Sequence, residues 1–150
     1  MTLLENIEEK IKKAMREKDS LMLETLRSIK TALQVYKVNI RKPITTEVEQ
    51  SILSKLANQR NESLVAFTAA GRFDLGIKES KELEIIESFM VRKATDAEYF
   101  AAIYTAVFSN HKNGEKPNLG VIIKSAKEVL KDLRVDGKVL TDKIKEALNL

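Results

Sequence analysis

The chain has no cysteine and a single histidine, His111, among its 150 residues. The absence of cysteine excludes disulfides, thiolate zinc sites and cysteine nucleophiles, and it is compatible with a reducing compartment. One histidine without a second at ligand spacing gives little support to a histidine metal site or a Ser-His-Asp arrangement within one chain. We therefore expect no metal, no cofactor and no catalytic residue.

Long apolar runs are also absent. A membrane-spanning helix needs about 20 consecutive apolar residues, and no stretch of the sequence approaches that length. The first residues, Met1 to Glu5, lead directly into a charged amphipathic pattern and lack the apolar centre of a signal peptide. The sequence therefore predicts a cytoplasmic protein with no membrane partner.

Glycine, proline and aromatic residues are scarce, with 5 Gly, 2 Pro and no Trp. Apolar residues recur instead at helical spacing, and no segment shows convincing strand alternation. This pattern predicts an all-α protein of about seven helices. We expect N-terminal helical hairpins in residues 1–93 and a small three-helix subdomain in residues 94–150. The turn-rich residues 109–117 predict an exposed loop between the fifth and sixth helices.

Hydroxyl and acidic residues indicate where helices begin. Thr2, Thr46 and Thr95 each precede a glutamate by three positions, which is the capping-box pattern. Asp19 predicts the start of the second helix. Pro43 predicts its end, because proline disfavours helical geometry at the residue before it.

Helical periodicity also assigns apolar side chains to the core. In the first, second and last helices these include Met15, Ile40 and Val139. The fifth helix is predicted to turn four side chains inward: Phe100, Ile103, Val107 and Phe108.

Charged residues interrupt the apolar faces of the third and fourth helices. Arg60 lies among apolar residues of the third helix, and Glu79 and Glu82 do so on the fourth. We call these three residues the clasp. If Gly71 ends the third helix in the left-handed conformation, the two helices run antiparallel. Arg60, or alternatively Arg72, can then pair with either glutamate.

Two interpretations of the clasp follow from the sequence. The favoured one is a structural ion-pair network, because partly buried charges need partners. The other is an enzyme site built from the clasp and Arg72, although neighbouring arginines keep carboxylates ionised and so disfavour a general acid. Asp74, beside the turn, is predicted to cap the fourth helix.

Four basic residues share one stripe of the second helix with no acidic residue among them: Arg27, Lys30, Lys37 and Arg41. We call this stripe the basic ridge. Residues 1–42 hold 10 Lys and Arg against 6 Asp and Glu, so the net charge of +4 resides in this region. Such a ridge attracts the phosphates of nucleic acids. The alternative is an ordinary solvated helix face.

The segment Asp136-Gly137-Lys138 can be interpreted as a phosphate-binding turn or as a helix start. The sequence contains neither of the common glycine-rich phosphate loops. A helix start is therefore the better interpretation.

Several segments resemble the GatB/YqeY family. They extend over most of the chain: Leu3 and Leu4; Leu26 to Lys30; Gln59, Arg60, Glu62, Ser63 and Phe67; Ala70 to Arg72; Asp74 and Leu75; Glu79, Glu82 and Leu83; and Asp136 to Val139. The resemblance implies an α-helical region followed by a small helical domain similar to the tail of the B subunit of glutamine-dependent aminoacyl-tRNA amidotransferase. In that enzyme the tail contacts tRNA, and separate domains carry out the kinase and transamidation chemistry.

The resemblance and the basic ridge together predict a non-catalytic helical protein that binds tRNA or the amidotransferase machinery. The family's association with carbon–nitrogen ligation, with glutamine as amide donor, comes through the resemblance alone. One alternative is a protein–protein adaptor in translation that makes no direct RNA contact. Another is an enzyme that uses the clasp and Arg72. The expected partners are tRNA and the amidotransferase or other translation proteins. Neither DNA nor a membrane is an expected partner.

Overall fold

A computed structural model describes residues 1–111, 114 and 118–149. These residues form seven α-helices and no β-strand, so the protein is all-α as predicted. The helices are α1 (Leu3–Glu17), α2 (Ser20–Ile40), α3 (Thr46–Ala69), α4 (Phe73–Glu87), α5 (Asp96–Asn110), α6 (Leu119–Val129) and α7 (Gly137–Ala147).

The chain divides into two compact units, Met1–Met90 and Val91–Leu150. The first unit contains α1 to α4 and the second contains α5 to α7. Within the described ranges, no helix is both long enough and apolar enough to cross a membrane.

Capping side chains position most of the helix starts. Thr2 and Thr95 form the predicted capping boxes, in which the hydroxyl and the glutamate three positions later each bind a backbone N–H. Asp19 caps α2 as predicted, accepting from the N–H of Met22 at 3.1 Å. The prediction for α3 is wrong by one residue. Thr45, not Thr46, is its N-cap, and a valine stands where a capping box needs a glutamate.

The turn between α3 and α4 is a tight helix end built on Gly71, whose φ of +73° is left-handed as predicted. The N–H of Arg72 donates to the carbonyl of Phe67 at 2.8 Å, and the N–H of Gly71 donates to that of Thr68 at 3.1 Å. This pair of bonds is the Schellman arrangement. The prediction for Asp74 is wrong, because α4 already begins at Phe73, which leaves Asp74 inside its first turn.

The core of the first unit lies where α1, α2, α3 and α4 meet. Six large side chains there are fully buried: Ile7, Leu26, Ile29, Leu33, Leu53 and Ile86. Met15 and Ile40, which the sequence assigns to the core, are exposed instead. Both lie in the last turn of their helices, and in α1 the inward position of that turn is occupied by Ala14, which is buried.

The core of the second unit is built on the small side chains of α5. Ala102 and Ala106 face inward with Tyr99 and Ile103, and they pack against buried residues of α6 and α7. The Tyr99 hydroxyl accepts from the N–H of Asp136 at 3.0 Å, so this partly polar side chain is satisfied in the interior.

Three core assignments in the second unit are wrong. Phe100, Phe108 and Val139 are exposed. The inward arc of α5 is centred on its alanines, which leave room for the neighbouring helices. The two phenylalanines therefore lie on the opposite, solvent side.

Two residues assigned to the predicted loop at 109–117, Ser109 and Asn110, belong instead to α5. The side-chain amide of Asn110 donates to the carbonyl of Ala106 at 2.7 Å and to the Ser125 hydroxyl at 3.0 Å, which extends the helix. Residues 112, 113 and 115–117 lie outside the described residues, so the loop expected there stays a prediction.

Candidate functional site

The basic ridge lies along α2, and its members differ in what surrounds them. Arg27, Lys37 and Arg41 are exposed and form no ion pair with any described residue. Lys30 lies 3.5 Å from Glu8 of α1, measured from Nζ to Oε1. The stripe is acid-free on α2 itself, but α1 supplies a carboxylate when the two helices pack. Lys30 is therefore partly neutralised.

The end of the basic ridge forms the rim of a cavity of about 690 Å³. Lys37, Arg41 and Lys42 line it together with apolar side chains, among them Leu4 and Leu33. Arg41 follows the last residue of α2 and takes a left-handed conformation, with φ of +56°. Lys37 of the last turn of α2 and the two cations that follow the helix, Arg41 and Lys42, therefore share one opening, which Glu49 also lines.

Lys42 was missed by the sequence interpretation, which ended the basic ridge at Arg41. The sequence Arg41-Lys42-Pro43 could have indicated its position. Proline disfavours helical geometry at the residue before it, so Lys42 leaves the direction of the helix. Cations at the C-terminal end of a helix also offset the negative end of its dipole. These cations can offset the helix dipole and still bind an external anion, because none of them forms an ion pair with a carboxylate of the described residues.

The clasp has different surroundings. Nε of Arg60 lies 2.7 Å from Oε2 of Glu82 and 3.8 Å from Oε2 of Glu79, so the predicted pairing of Arg60 with α4 is present. The N–H at this nitrogen is not aligned with a described acceptor, so the contact is an ion pair without a good hydrogen bond. A second guanidinium nitrogen, Nη2, donates to the hydroxyl of Ser28 at 3.2 Å.

The clasp ties three helices together. Arg60 belongs to α3, Glu82 to α4 and Ser28 to α2. Glu82 is only 5% exposed, and Lys78 approaches its other oxygen at 3.9 Å. Because the charges are enclosed and paired, the geometry favours the structural interpretation of the clasp.

Arg72 takes no part in the clasp. Its guanidinium donates to both carboxylate oxygens of Asp74, at 3.3 and 3.2 Å. This hydrogen bond, with a smaller contribution from the backbone N–H of Leu75, lowers the pKa of Asp74. The pair is exposed on both sides, so it contributes little to stability.

Asp136, Gly137 and Lys138 form a helix start. The Asp136 carboxylate accepts from the N–H groups of Lys138 and Val139, at 2.9 and 3.2 Å. These are the groups that a phosphate would need at this helix end. The segment is therefore occupied by its own cap, in agreement with the helix-start interpretation.

An exposed ion pair also supports the start of α5. Arg92 donates from Nη1 and Nη2 to the two carboxylate oxygens of Glu98, at 2.6 and 3.0 Å. These hydrogen bonds, together with those from Thr95, lower the pKa of Glu98 to about 2.

In the described part of the chain, no group of three or more histidine, aspartate or glutamate side chains is placed to hold a metal ion.

Curated relatives of the chain include three fungal proteins, each named altered inheritance of mitochondria protein 41, mitochondrial. The protein of Eremothecium gossypii is 35% identical over 88 residues, which cover 58% of this chain and 48% of the relative. The protein of Lachancea thermotolerans is 30% identical over 101 residues, covering 65% and 54%. The protein of Kluyveromyces lactis is 30% identical over 84 residues, covering 55% and 45%. The chain thus spans about half the length of the curated relatives it matches.

A family comparison covers more of the chain than these relatives do. The sequence model described as Yqey-like protein matches residues 4–148, a range that includes all but the first residue of α1 and every residue of the other six helices. The chain therefore belongs to the YqeY-like protein family.

Proposed function

We propose that this YqeY-like protein binds tRNA through its first unit, with the exposed cations of α2 contacting backbone phosphates. The observation that carries the proposal is a set of exposed cations without an ion-pair partner among the described residues. They are Arg27, Lys37, Arg41 and Lys42. We call them the free cations.

The free cations suit an extended anion. From Arg27 to Arg41 the helix rises by about 21 Å, at roughly 1.5 Å per residue. That length matches about six phosphates of one strand of a duplex, at roughly 3.4 Å per phosphate along its axis. Contacts of this kind read the backbone and not the bases, so they recognise many tRNAs alike.

The proposed role is non-catalytic. The clasp, which is the alternative enzyme site, is enclosed and internally paired, and Arg72 points its charge to Asp74 instead. Because the family resembles the tail of the amidotransferase B subunit, we place the chain beside that enzyme as a tRNA-holding module. Carbon–nitrogen ligation with glutamine as amide donor then belongs to the enzyme and not to this chain.

The proposal places this interaction in the cytoplasm, with RNA preferred over DNA. The names of the curated relatives contain the word mitochondrial, which describes those proteins. Fluorescent tagging of the chain in its own cells tests the location. Competition of labelled tRNA with duplex DNA tests the preference.

Filter-binding titrations of the full chain with total tRNA, at several salt concentrations, test the proposal. Each of Arg27→Ala, Lys37→Ala, Arg41→Ala and Lys42→Ala should make the log–log salt dependence shallower by roughly one. Lys30→Ala should have a smaller effect, because Glu8 already offsets its charge. Lys145→Ala on α7 is the control, with little change expected.

Two outcomes would contradict the proposal. One is the absence of binding at low salt. The other is an equal loss from Lys145→Ala and from the variants of the free cations. A pulldown from cell extract then distinguishes RNA binding from the protein–protein adaptor alternative. A partner that stays bound after ribonuclease treatment is held by protein contacts.

A further inference from the structure

An exposed aromatic ridge runs along α5 of the second unit. Phe100, Tyr104 and Phe108 are 72%, 59% and 72% exposed. Neighbouring rings stack, with centroid distances of 6.3 Å between Phe100 and Tyr104 and 5.5 Å between Tyr104 and Phe108. Three stacked aromatic side chains facing solvent are unusual in a helix whose other large apolar residues are buried or half-buried.

A row of small side chains lies beside the aromatic ridge on the same exposed surface. Its members also repeat every four residues: Ala97, Ala101, Thr105 and Ser109. Thr105 and Ser109 line a cavity of about 650 Å³ between α5 and α6, whose other wall includes the exposed Val121 and Val129 together with Lys124 and Glu128. A raised row of large side chains therefore lies next to a recessed row.

We propose that this face binds a second copy of the chain, with the aromatic ridge of each copy packed into the small-residue row of the other. Rows at four-residue spacing are the ridges and grooves of the commonest helix–helix packing, which crosses at about 50°. A two-fold interface requires a surface that is complementary to itself. A large row beside a small row on one helix meets that requirement.

The spacing of the aromatic ridge fits the same symmetry. A two-fold axis that passes beside Tyr104, between the aromatic ridge and the small-residue row, places Phe100 of one copy at the Phe108 end of the other, since each lies four residues from Tyr104. The two α5 helices then run antiparallel across the axis, which brings opposite ends of their dipoles together.

Charge distinguishes a second copy from a nucleic acid as the occupant. The sequence from Tyr99 to Asn110 contains no charged residue. Two copies therefore meet on this helix face without like-charge repulsion. A nucleic acid strand could stack its bases on the rings, but α5 has no cation to neutralise its phosphates, and Lys124 in the adjoining cavity wall is accompanied there by Glu128.

The exposed area sets the strength of the association. Three aromatic side chains of about 200 Å² each, exposed to these fractions, offer roughly 400 Å² per copy. A standard interface buries about 800 Å² per partner. The rest comes from the small-residue row and the cavity wall at Val121 and Val129. We therefore expect a reversible dimer whose population rises with protein concentration.

Sedimentation equilibrium of the full chain over a wide concentration range tests the dimer. The parent should move from 17.0 kDa at low concentration toward twice that mass. Tyr104→Glu and Tyr104→Lys should each remain monomeric, because the two copies of position 104 lie side by side across the axis and like charges would then be neighbours in the interface. An equimolar mixture of the two variants should regain the dimer, since opposite charges then meet.

The control is Phe73→Glu, which places the same charge on an exposed aromatic position of the first unit. It should dimerise as the parent does. At a protein concentration where the parent is monomeric, circular dichroism melts of both Tyr104 variants should match that of the parent, because the side chain is exposed. The proposal is overturned if the parent stays at 17.0 kDa at the highest soluble concentration, if either single variant dimerises, or if the mixture stays monomeric.

Discussion

The first unit contains two sets of arginines and lysines that differ in their surroundings. Arg60 of the clasp is enclosed between α2 and α4, with Glu82 at 2.7 Å and Ser28 at 3.2 Å. Arg27 and Lys37, on α2, are exposed and have no carboxylate partner in the described part of the chain. Positively charged side chains of this unit therefore have two different surroundings and can serve two different roles. An enclosed charge with a fixed partner holds helices together, and an exposed charge without one is available to an anion from outside.

The largest effect expected from this comparison is on folding. Arg60→Ala leaves the nearly buried Glu82 carboxylate without its closest partner, and we expect a loss of about 2 to 3 kcal/mol in the free energy of unfolding. This is below the usual figure for a fully buried pair, because Arg60 itself is 21% exposed. Urea unfolding measures the loss.

Arg72→Ala is the matched control for Arg60→Ala. It removes an arginine from an exposed pair with Asp74, so its effect should stay within about 0.5 kcal/mol. If Arg60→Ala unfolds at the same urea concentration as the parent, the clasp does not hold the helices and Arg60 becomes a candidate for function.

The helix turn that positions the clasp should give the next largest effect. Gly71→Ala forces a side chain into a left-handed conformation and should cost about 1 kcal/mol. No described atom lies within 4 Å of the added methyl group, so the cost comes from the backbone and not from a clash.

Gly137→Ala is the control for Gly71→Ala. Gly137 is the first residue of α7 and does not have a positive φ. As at Gly71, no described atom lies within 4 Å of an added methyl group. Alanine there should leave the protein as stable as the parent or slightly more stable. Equal losses from both variants would mean that the left-handed conformation of Gly71 is not the cause.

The smallest folding effect concerns Glu98, whose ion pair with Arg92 lies on the surface of the second unit. Hydrogen bonds lower its pKa from 4.5 to about 2. A carboxylate with a lowered folded-state pKa stabilises the protein above its unfolded pKa, and this contribution is lost as pH falls toward the folded value. The parent should therefore lose more stability than Glu98→Gln between about pH 5 and pH 2. Thermal melts across that range measure the difference, and parallel curves would contradict it.

The fold was largely predictable because helix formation depends on local patterns. Thr2, Asp19 and Thr95 cap the helices that they were expected to cap, since a cap needs only nearby backbone groups. At the start of α3, either of two adjacent threonines, Thr45 and Thr46, could be the N-cap. A local pattern cannot resolve that choice.

The inward side of α5 was only partly predictable from hydrophobicity: Ile103 is buried and Val107 packs against the core as expected, whereas the two phenylalanines do not. The pattern favoured Phe100 and Phe108 because they are the larger apolar residues, yet Ala102 and Ala106 occupy the core. Close packing of three short helices selects small side chains at the contact, which a ranking by hydrophobicity does not see. That error concealed the aromatic ridge.

The candidate site was predictable in part. The basic ridge was visible on α2, but the partner of Lys30 was not, because Glu8 comes from another helix. Lys42 was missed because its position depends on how the chain leaves α2. In both cases the missing information is tertiary.

A comparison of two triple variants tests the central claim, that exposed cations without a partner on α2 bind phosphates. The first is Arg27→Ala, Lys37→Ala and Arg41→Ala together. The second replaces three exposed lysines elsewhere, Lys81, Lys127 and Lys145, so that both lose the same charge. In salt titrations with tRNA, the first should make the log–log dependence shallower by about three, and the second should leave it nearly unchanged. Equal slopes for the two triple variants would contradict the account, because net charge and not the basic ridge would then determine binding.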